Sequence, residues 1–185
     1  MHLAHHHGGD RGAHRGLALS SDAPYASLTP DVVLDAASAC GLWPDGRLLA
    51  LNSYENRVWQ IGLEESPPVI AKFYRPGRWS DAAIVEEHAF AQELADAELP
   101  VVAPLAFDGR TLLRHDGFRY ALTPRRGGRA PELEALDQLQ WLGRLIARMH
   151  VVGARLPFVH RGRLDRDTMV RQPMQAVLDS SLLPT

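Results

Sequence analysis

Cysteine occurs once in the 185 residues, as Cys40. A lone thiol excludes an internal disulfide and a cysteine-rich metal site, fits a reducing compartment, and reads as a small apolar residue suited to burial. Long apolar runs are missing too: none approaches the roughly 18 residues of a membrane span, and the N-terminus lacks the apolar stretch of a signal peptide. A cytoplasmic chain without membrane association is the expectation. Charge of one sign is not in excess either, with 20 Lys and Arg against 22 Asp and Glu for a net charge of -2. No overall basic field exists to hold nucleic acid, and "RPGRW" and "RRGGR" are short clusters on an otherwise acidic chain. Internal repeats, a G-x-G-x-x-G loop and a Walker A motif are likewise absent. What is present is 45% apolar residues, enough to core one ordinary domain, or a small lobe plus part of a second.

The chain begins with "MHLAHHHGGDRGAHRGLALSSD", which holds five of the nine histidines and no apolar period. Such a segment cannot bury enough surface to order itself, so residues 1–24 are expected to form a mobile tail with no assigned metal role. Thr29 and Pro30 then supply a cap and a first-turn proline for a helix through "DVVLDAASAC", stopped by Gly41. The period changes afterwards. Residues 48–51, 57–63 and 69–74 read as three closely spaced strands with the polar turns "NSYEN" and "EESPP" between them, which suggests an antiparallel meander. Ser80 caps a helix lasting to about Ala97. Two further short strands are expected, around Val102 to Phe107 and about the Asp116-Gly117 turn, before "RRGGRAP" breaks the pattern. A last helix is expected from about Glu132 to Val152, its apolar stripe carried by Leu139, Leu142, Ile146 and Met149. The fold class is α+β.

Two charges are out of place in this pattern. In "VIAKFY", strand alternation puts Lys72 on the face of Ile70 and Tyr74, with Val69, Ala71 and Phe73 on the other. Both faces are otherwise apolar, and an ammonium buried without a partner costs several kcal/mol, so Lys72 should reach an anion. On the following helix, Ala83, Ile84, Glu87, Phe90, Ala91 and Leu94 fall on one side, placing Glu87 at the centre of the stripe and Glu86 on its more exposed flank. A Lys72–Glu87 ion pair across the sheet-to-helix interface satisfies both. Protein kinases orient nucleotide phosphates with such a pair. The "NSYEN" turn joins the two strands before Lys72, where backbone N–H groups and the Ser53 hydroxyl could face phosphate in place of a glycine-rich loop.

"LNSYENRVWQ", "AKFYRPGRWS", "EEHAFAQEL", "PVVAPL" and "LGRLIARMH" together resemble the stress response kinases, a family of bacterial Ser/Thr protein kinases in the aminoglycoside-phosphotransferase-like group. The resemblance runs from about Leu28 to the C-terminus. It implies a protein-kinase-like fold, in which residues 25–124 form an N-lobe with a five-stranded antiparallel sheet and one main helix. Residues 125–131 would be the hinge and connector, and 132–185 the start of an incomplete C-lobe. It implies ATP with Mg²⁺, a protein Ser/Thr substrate and a monomer. Lys72 takes the place of the phosphate-contacting lysine, Glu87 that of its helix partner and Ser53 that of the loop residue near ATP. Residues 121–128, "ALTPRRGG", resemble the hinge whose backbone meets adenine.

The departure from that pattern lies in the catalytic loop. An H-G-D-x-H-x-x-N motif and a following metal-binding Asp do not occur before Thr185. His160-Arg161-Gly162 has no Asp in third place, Phe107-Asp108-Gly109 reads as a hairpin turn, and Asp165 and Asp167 read as surface residues. No catalytic residue is assigned, the catalytic Asp being expected beyond Thr185, and the chain alone is expected to be inactive. His150 is expected to be a hydrogen-bonded core residue. The competing readings are a small-molecule phosphotransferase acting on aminoglycoside, choline or homoserine, and a non-catalytic truncated kinase that binds nucleotide or protein.

Overall fold

A computed structural model of the chain describes residues 24–128, 130–132 and 134–180. The tail expected at 1–24 lies outside them except for Pro24. Helix α1, Pro30–Ser38, begins where Thr29 accepts the Val32 N–H, and Pro30 fills the first turn, where no backbone donor is needed. Strands β1 (Pro44–Leu51), β2 (Arg57–Leu63) and β3 (Val69–Phe73) follow. Helix α2, Asp81–Asp96, starts from Ser80, whose hydroxyl accepts the Ala83 N–H. Strands β4 (Leu113–His115) and β5 (Phe118–Pro124) precede helix α3, Leu136–Gly153. A π-helical turn over Asp167–Arg171 leads into helix α4, Gln172–Leu178.

All five strands form one antiparallel sheet in the order β1-β2-β3-β5-β4. The β4–β5 hairpin turns on Asp116 (φ 44°) and Gly117 (φ 78°), the paired left-handed conformation of a two-residue turn that matches strand twist. Asp108 (φ 49°) and Gly109 (φ 74°) repeat it between Phe107 and Arg110, so this stretch is a turn and not a metal-binding loop. The strand expected over 102–107 does not form. Only a Leu105 N–H bond to the Leu122 carbonyl, beyond the Phe118–Tyr120 stretch that β4 pairs, and the Phe107–Arg110 bridge form there.

The two faces of the sheet have different fates. Ile61, Val69, Ala71, Phe73, Tyr120 and Leu122 lie on the face covered by Val33, Ala36 and Ala37 of α1, and form the main core. Tyr120 donates its hydroxyl to the Ala36 carbonyl at 2.6 Å, tying helix to sheet. Cys40 sits at the margin of this core, half-buried and not fully enclosed as expected, its Sγ 3.2 Å from the Tyr120 hydroxyl. The opposite face is covered only in part. There α2 places Ile84 against Tyr74 and Ala121. The C-terminal end of α3 packs Met149 and Val152 under Leu94, Leu99 and Phe90.

Beyond that contact the last part of the chain is thinly packed. Leu136, Trp141 and Val151 of α3 and Met174 and Leu178 of α4 are exposed, and no residue of α4 is buried. His150 is exposed too, contrary to the core role expected of it. It lies in the last turn of a helix whose packed side is taken by Met149 and Val152.

Candidate functional site

The part of the sheet left open by α2 can be followed through the register. Leu51 pairs with Val58, Val58 with Lys72, and Lys72 with Ala121; one step along, Leu49 pairs with Gln60, Gln60 with Ile70, and Ile70 with Thr123. Directly paired residues of antiparallel strands share a face. The result is a floor of half-buried Leu51, Val58, Ile70 and Thr123, with Gln60 in its middle and Lys72 at the end nearest α2. These flanking residues carried no sequence signal of their own, since each is an ordinary strand residue until the register aligns them.

Lys72 Nζ donates to Glu87 Oε1 at 3.1 Å and lies 4.8 Å from the centre of the Tyr74 ring. The pair spans β3 and α2 as expected, with about a third of each side chain accessible (33% and 36%). Burial first, and then the Arg161 guanidinium, push the Lys72 ammonium below its ordinary range, while Glu55 opposes them. The 3.1 Å contact with Glu87 also favours the charged form.

Glu87 is not at the centre of the buried stripe of α2. The buried residues are Ala83, Ile84, His88 and Leu94, and Glu87 stands at the edge, turned toward the open floor. The helix is rotated from the expected pose because His88, which looks polar in the sequence, has a satisfied buried place. Its Nε2 shares a 2.6 Å hydrogen bond with the Tyr74 hydroxyl and its Nδ1 a 2.8 Å bond with Thr111 Oγ1. Burial, helped by the Lys72 charge, lowers the His88 pKa to about 4, so the ring is neutral at pH 7. Burial pushes the Tyr74 phenol up to about 12. His88 was legible only as the residue four on from Ile84, one turn along the same side.

The "NSYEN" turn joins β1 to β2 at the Leu51–Val58 end of the floor. Ser53 Oγ donates to the Asn56 carbonyl at 2.7 Å, and Asn56 Oδ1 accepts the Arg75 N–H at 3.3 Å. Glu55 accepts from Arg78 Nε at 3.3 Å and Trp79 Nε1 at 3.2 Å. Tyr25 donates to the Glu55 and Phe73 carbonyls. The hairpin is thereby tied to the 75–79 turn that follows the Lys72 strand. Ser53 is exposed, its hydroxyl oxygen still able to accept.

A second set of contacts had no counterpart in the sequence pattern. The backbone N–H groups of Val159, His160 and Arg161 all donate to the Glu86 carboxylate, the last at 2.9 Å. Against a desolvation cost, these donors hold the Glu86 carboxyl below its usual range. Glu86 was expected on the exposed flank; it is half-buried and anchors a distant segment. The Arg161 side chain crosses to Glu87 Oε2 and stacks 4.3 Å from the centre of the Trp79 ring. Asp165 and Asp167 lie elsewhere and are exposed. Asp165 Oδ1 accepts the N–H groups of Asp167 and Thr168, the work of a local turn. Among the described residues, no group of three His, Cys, Asp or Glu could hold a metal ion.

The sequence pattern of the phosphotransferase enzyme family matches residues 47–184, a span that contains the floor, the Lys72–Glu87 pair and the segment bound by Glu86. The chain belongs to this family. Stress response kinase A of Shigella flexneri is 42% identical over 161 residues, covering 87% of this chain and 49% of that protein. The Escherichia coli K12 protein of the same name gives the same figures. A Salmonella typhimurium protein named serine/threonine protein kinase RdoA is 43% identical over the same length. The chain spans about half the length of the curated relatives it matches.

Two solved structures share the fold at low identity. One is the amicoumacin kinase hAmiN in complex with AMP-PNP, Ca²⁺ and Ami, with a TM-score of 0.60 and 19% identity, covering 83% of this chain and 55% of that one. The other is a microcompartment-associated aminopropanol kinase, with a TM-score of 0.55 and 23% identity, covering 77% and 48%. The fold is protein-kinase-like. No helix among the described residues is long and apolar enough to cross a membrane.

Proposed function

We propose that the chain is the nucleotide-binding portion of an ATP-dependent Ser/Thr protein kinase of the stress response kinase A type. In this reading residues 25–124 are the N-lobe, 125–131 the connector and 132–185 the start of the C-lobe. The observation that carries it is the Lys72–Glu87 pair at the end of an open, half-apolar sheet face. A purine and ribose suit the Leu51, Val58 and Ile70 floor, while an ammonium anchored on a carboxylate suits phosphate. Ser53 and the hairpin backbone would lie over the phosphates, and the 121–128 stretch beside the base. Mg²⁺ would neutralise phosphate charge when bound; among the described residues no group of three His, Cys, Asp or Glu could hold it. The acceptor is a protein hydroxyl, the setting cytoplasmic and the chain a monomer.

Phosphoryl transfer needs an acidic residue to accept the hydroxyl proton and ligands for the metal. The H-G-D-x-H-x-x-N motif does not occur in this chain, so by itself it should bind nucleotide without transferring phosphate. Titrating MgATP while following tryptophan fluorescence tests the first half, with Lys72→Ala expected to weaken binding about tenfold or more, the worth of one charge-assisted hydrogen bond. An equal response in both proteins removes the site. Labelled ATP with a casein-like acceptor tests the second half; transfer above the enzyme-free level, lost in Lys72→Ala, would overturn the inactivity and force a search for a base among Asp165, Asp167 and Asp179.

A further inference from the structure

Glu87 serves two cations from opposite sides. Lys72 takes Oε1 from the sheet, and Arg161 takes Oε2 from a segment 74 residues further along the chain than Glu87. That segment is clamped by three independent contacts. Glu86 accepts its successive N–H groups, Phe158 meets Phe90 edge-on with ring centres 5.3 Å apart, and the Arg161 guanidinium stacks on Trp79 while its Nε approaches the Ala83 carbonyl at 3.4 Å. Two adjacent glutamates of α2 are thus spent on one strap: Glu86 on its backbone, Glu87 on its side chain.

We propose that Arg161 is a positioning residue that sets the state of Lys72 by sharing Glu87. With one carboxylate oxygen committed to the guanidinium, Glu87 is held in a fixed orientation, and Lys72 is offered a single oxygen instead of a full carboxylate. An ammonium has three donors, so two remain for an anion on the open face. Without Arg161, Glu87 is free to swing and to bind Lys72 with both oxygens, which closes the ammonium toward α2. The planar fork of arginine and its stacking on Trp79 suit this bridging role better than a lysine would. The role of Lys72 toward nucleotide rests on the function proposed above; the action of Arg161 on Lys72 does not.

Lys72 is the sole lysine of the chain, which makes it separately observable. An amine-reactive ester modifies only Lys72 and the terminal amine, and peptide mass separates the two. The pH profile of Lys72 modification then reports its surroundings, namely Glu87 and His88 from α2, Glu55 from the hairpin, Tyr74 at the end of β3 and Arg161 from the strap. Removing the positive neighbour in Arg161→Ala should move the midpoint of the profile upward, and Glu86→Gln, which unfastens the strap, should move it the same way. Arg161→Lys keeps the positive charge but loses the fork and the stacking on Trp79, and peptide mass tells its added amine apart; its profile should fall between those of wild type and Arg161→Ala, which guards against a folding defect in the alanine variant. MgATP affinity, followed by fluorescence, should fall about tenfold in Arg161→Ala, equal to one charge-assisted contact. Wild-type profiles in both Arg161→Ala and Glu86→Gln overturn the proposal whatever the nucleotide does. A shifted profile in a chain that binds no MgATP upholds the Arg161 coupling and overturns the nucleotide reading instead.

Discussion

Among the described residues His88 is the buried residue of polar or charged type, only 4% exposed, and its neutrality should make the lobe acid-sensitive in a defined window. Folded, its pKa is lowered to about 4 by burial and by the Lys72 charge; unfolded, it returns to about 6.5. Between these values the unfolded chain binds more protons than the folded one, so stability rises with pH there. The contribution is full above about pH 6.5, is lost as pH falls, and levels off below about pH 4. Linkage between those two values removes about 2 kcal/mol on going from about pH 7.5 to about pH 5. Urea unfolding at the two pH values measures it, with His88→Gln as reference. The glutamine can keep one hydrogen bond, to Tyr74 or Thr111, and cannot titrate. It should be less stable at neutral pH by about 1–3 kcal/mol, the cost of a buried donor or acceptor left unmade. Its acid loss should be smaller than the wild type's by about 2 kcal/mol. Equal pH dependence in the two proteins would refute the buried, neutral histidine and the rotated pose of α2 that depends on it.

Three other perturbations probe the same architecture. Ile84→Ala empties a fully buried position between Tyr74 and Ala121 and should lower the unfolding free energy by about 2–5 kcal/mol, with weaker nucleotide binding because α2 loses its seat. Gly62→Ala puts a methyl group against the Asp45 carboxylate, the end of a side chain that can turn aside by giving up its Arg47 contact; denaturant melts should show a loss of about 1 kcal/mol or less, and Asp45→Ala in the same chain should relieve the clash. Gly117→Val, at φ 78° in the β4–β5 turn, should cost roughly 1–3 kcal/mol in the same assay, whereas Gly128→Val, on an exposed stretch with open space around its Cα, should cost under about 0.5 kcal/mol.

The order of elements up to β3, the caps at Thr29 and Ser80 and the Lys72–Glu87 partnership could all be read from the chain itself. Each rests on local chemistry: a hydroxyl before a helix, alternation in a strand, or a charge stranded among apolar neighbours. The family likeness was legible for a related reason, since its motifs are contiguous stretches. Sheet order and register were not, and they alone bring Leu51, Val58, Ile70 and Thr123 onto one face with Lys72. The rotation of α2 was likewise decided in three dimensions. A helical wheel ranks Glu87 above His88 for burial only if histidine is counted as polar, whereas Tyr74 and Thr111 satisfy both ring nitrogens and let His88 go inside. Glu86 and Arg161 are the extreme case. They are 75 residues apart, and nothing local marks either one. A carboxylate gathers backbone N–H groups, and a guanidinium gathers a carboxylate and an indole, only when the tertiary fold carries them to one place, because hydrogen bonds and ion pairs act over a few ångströms regardless of separation along the chain.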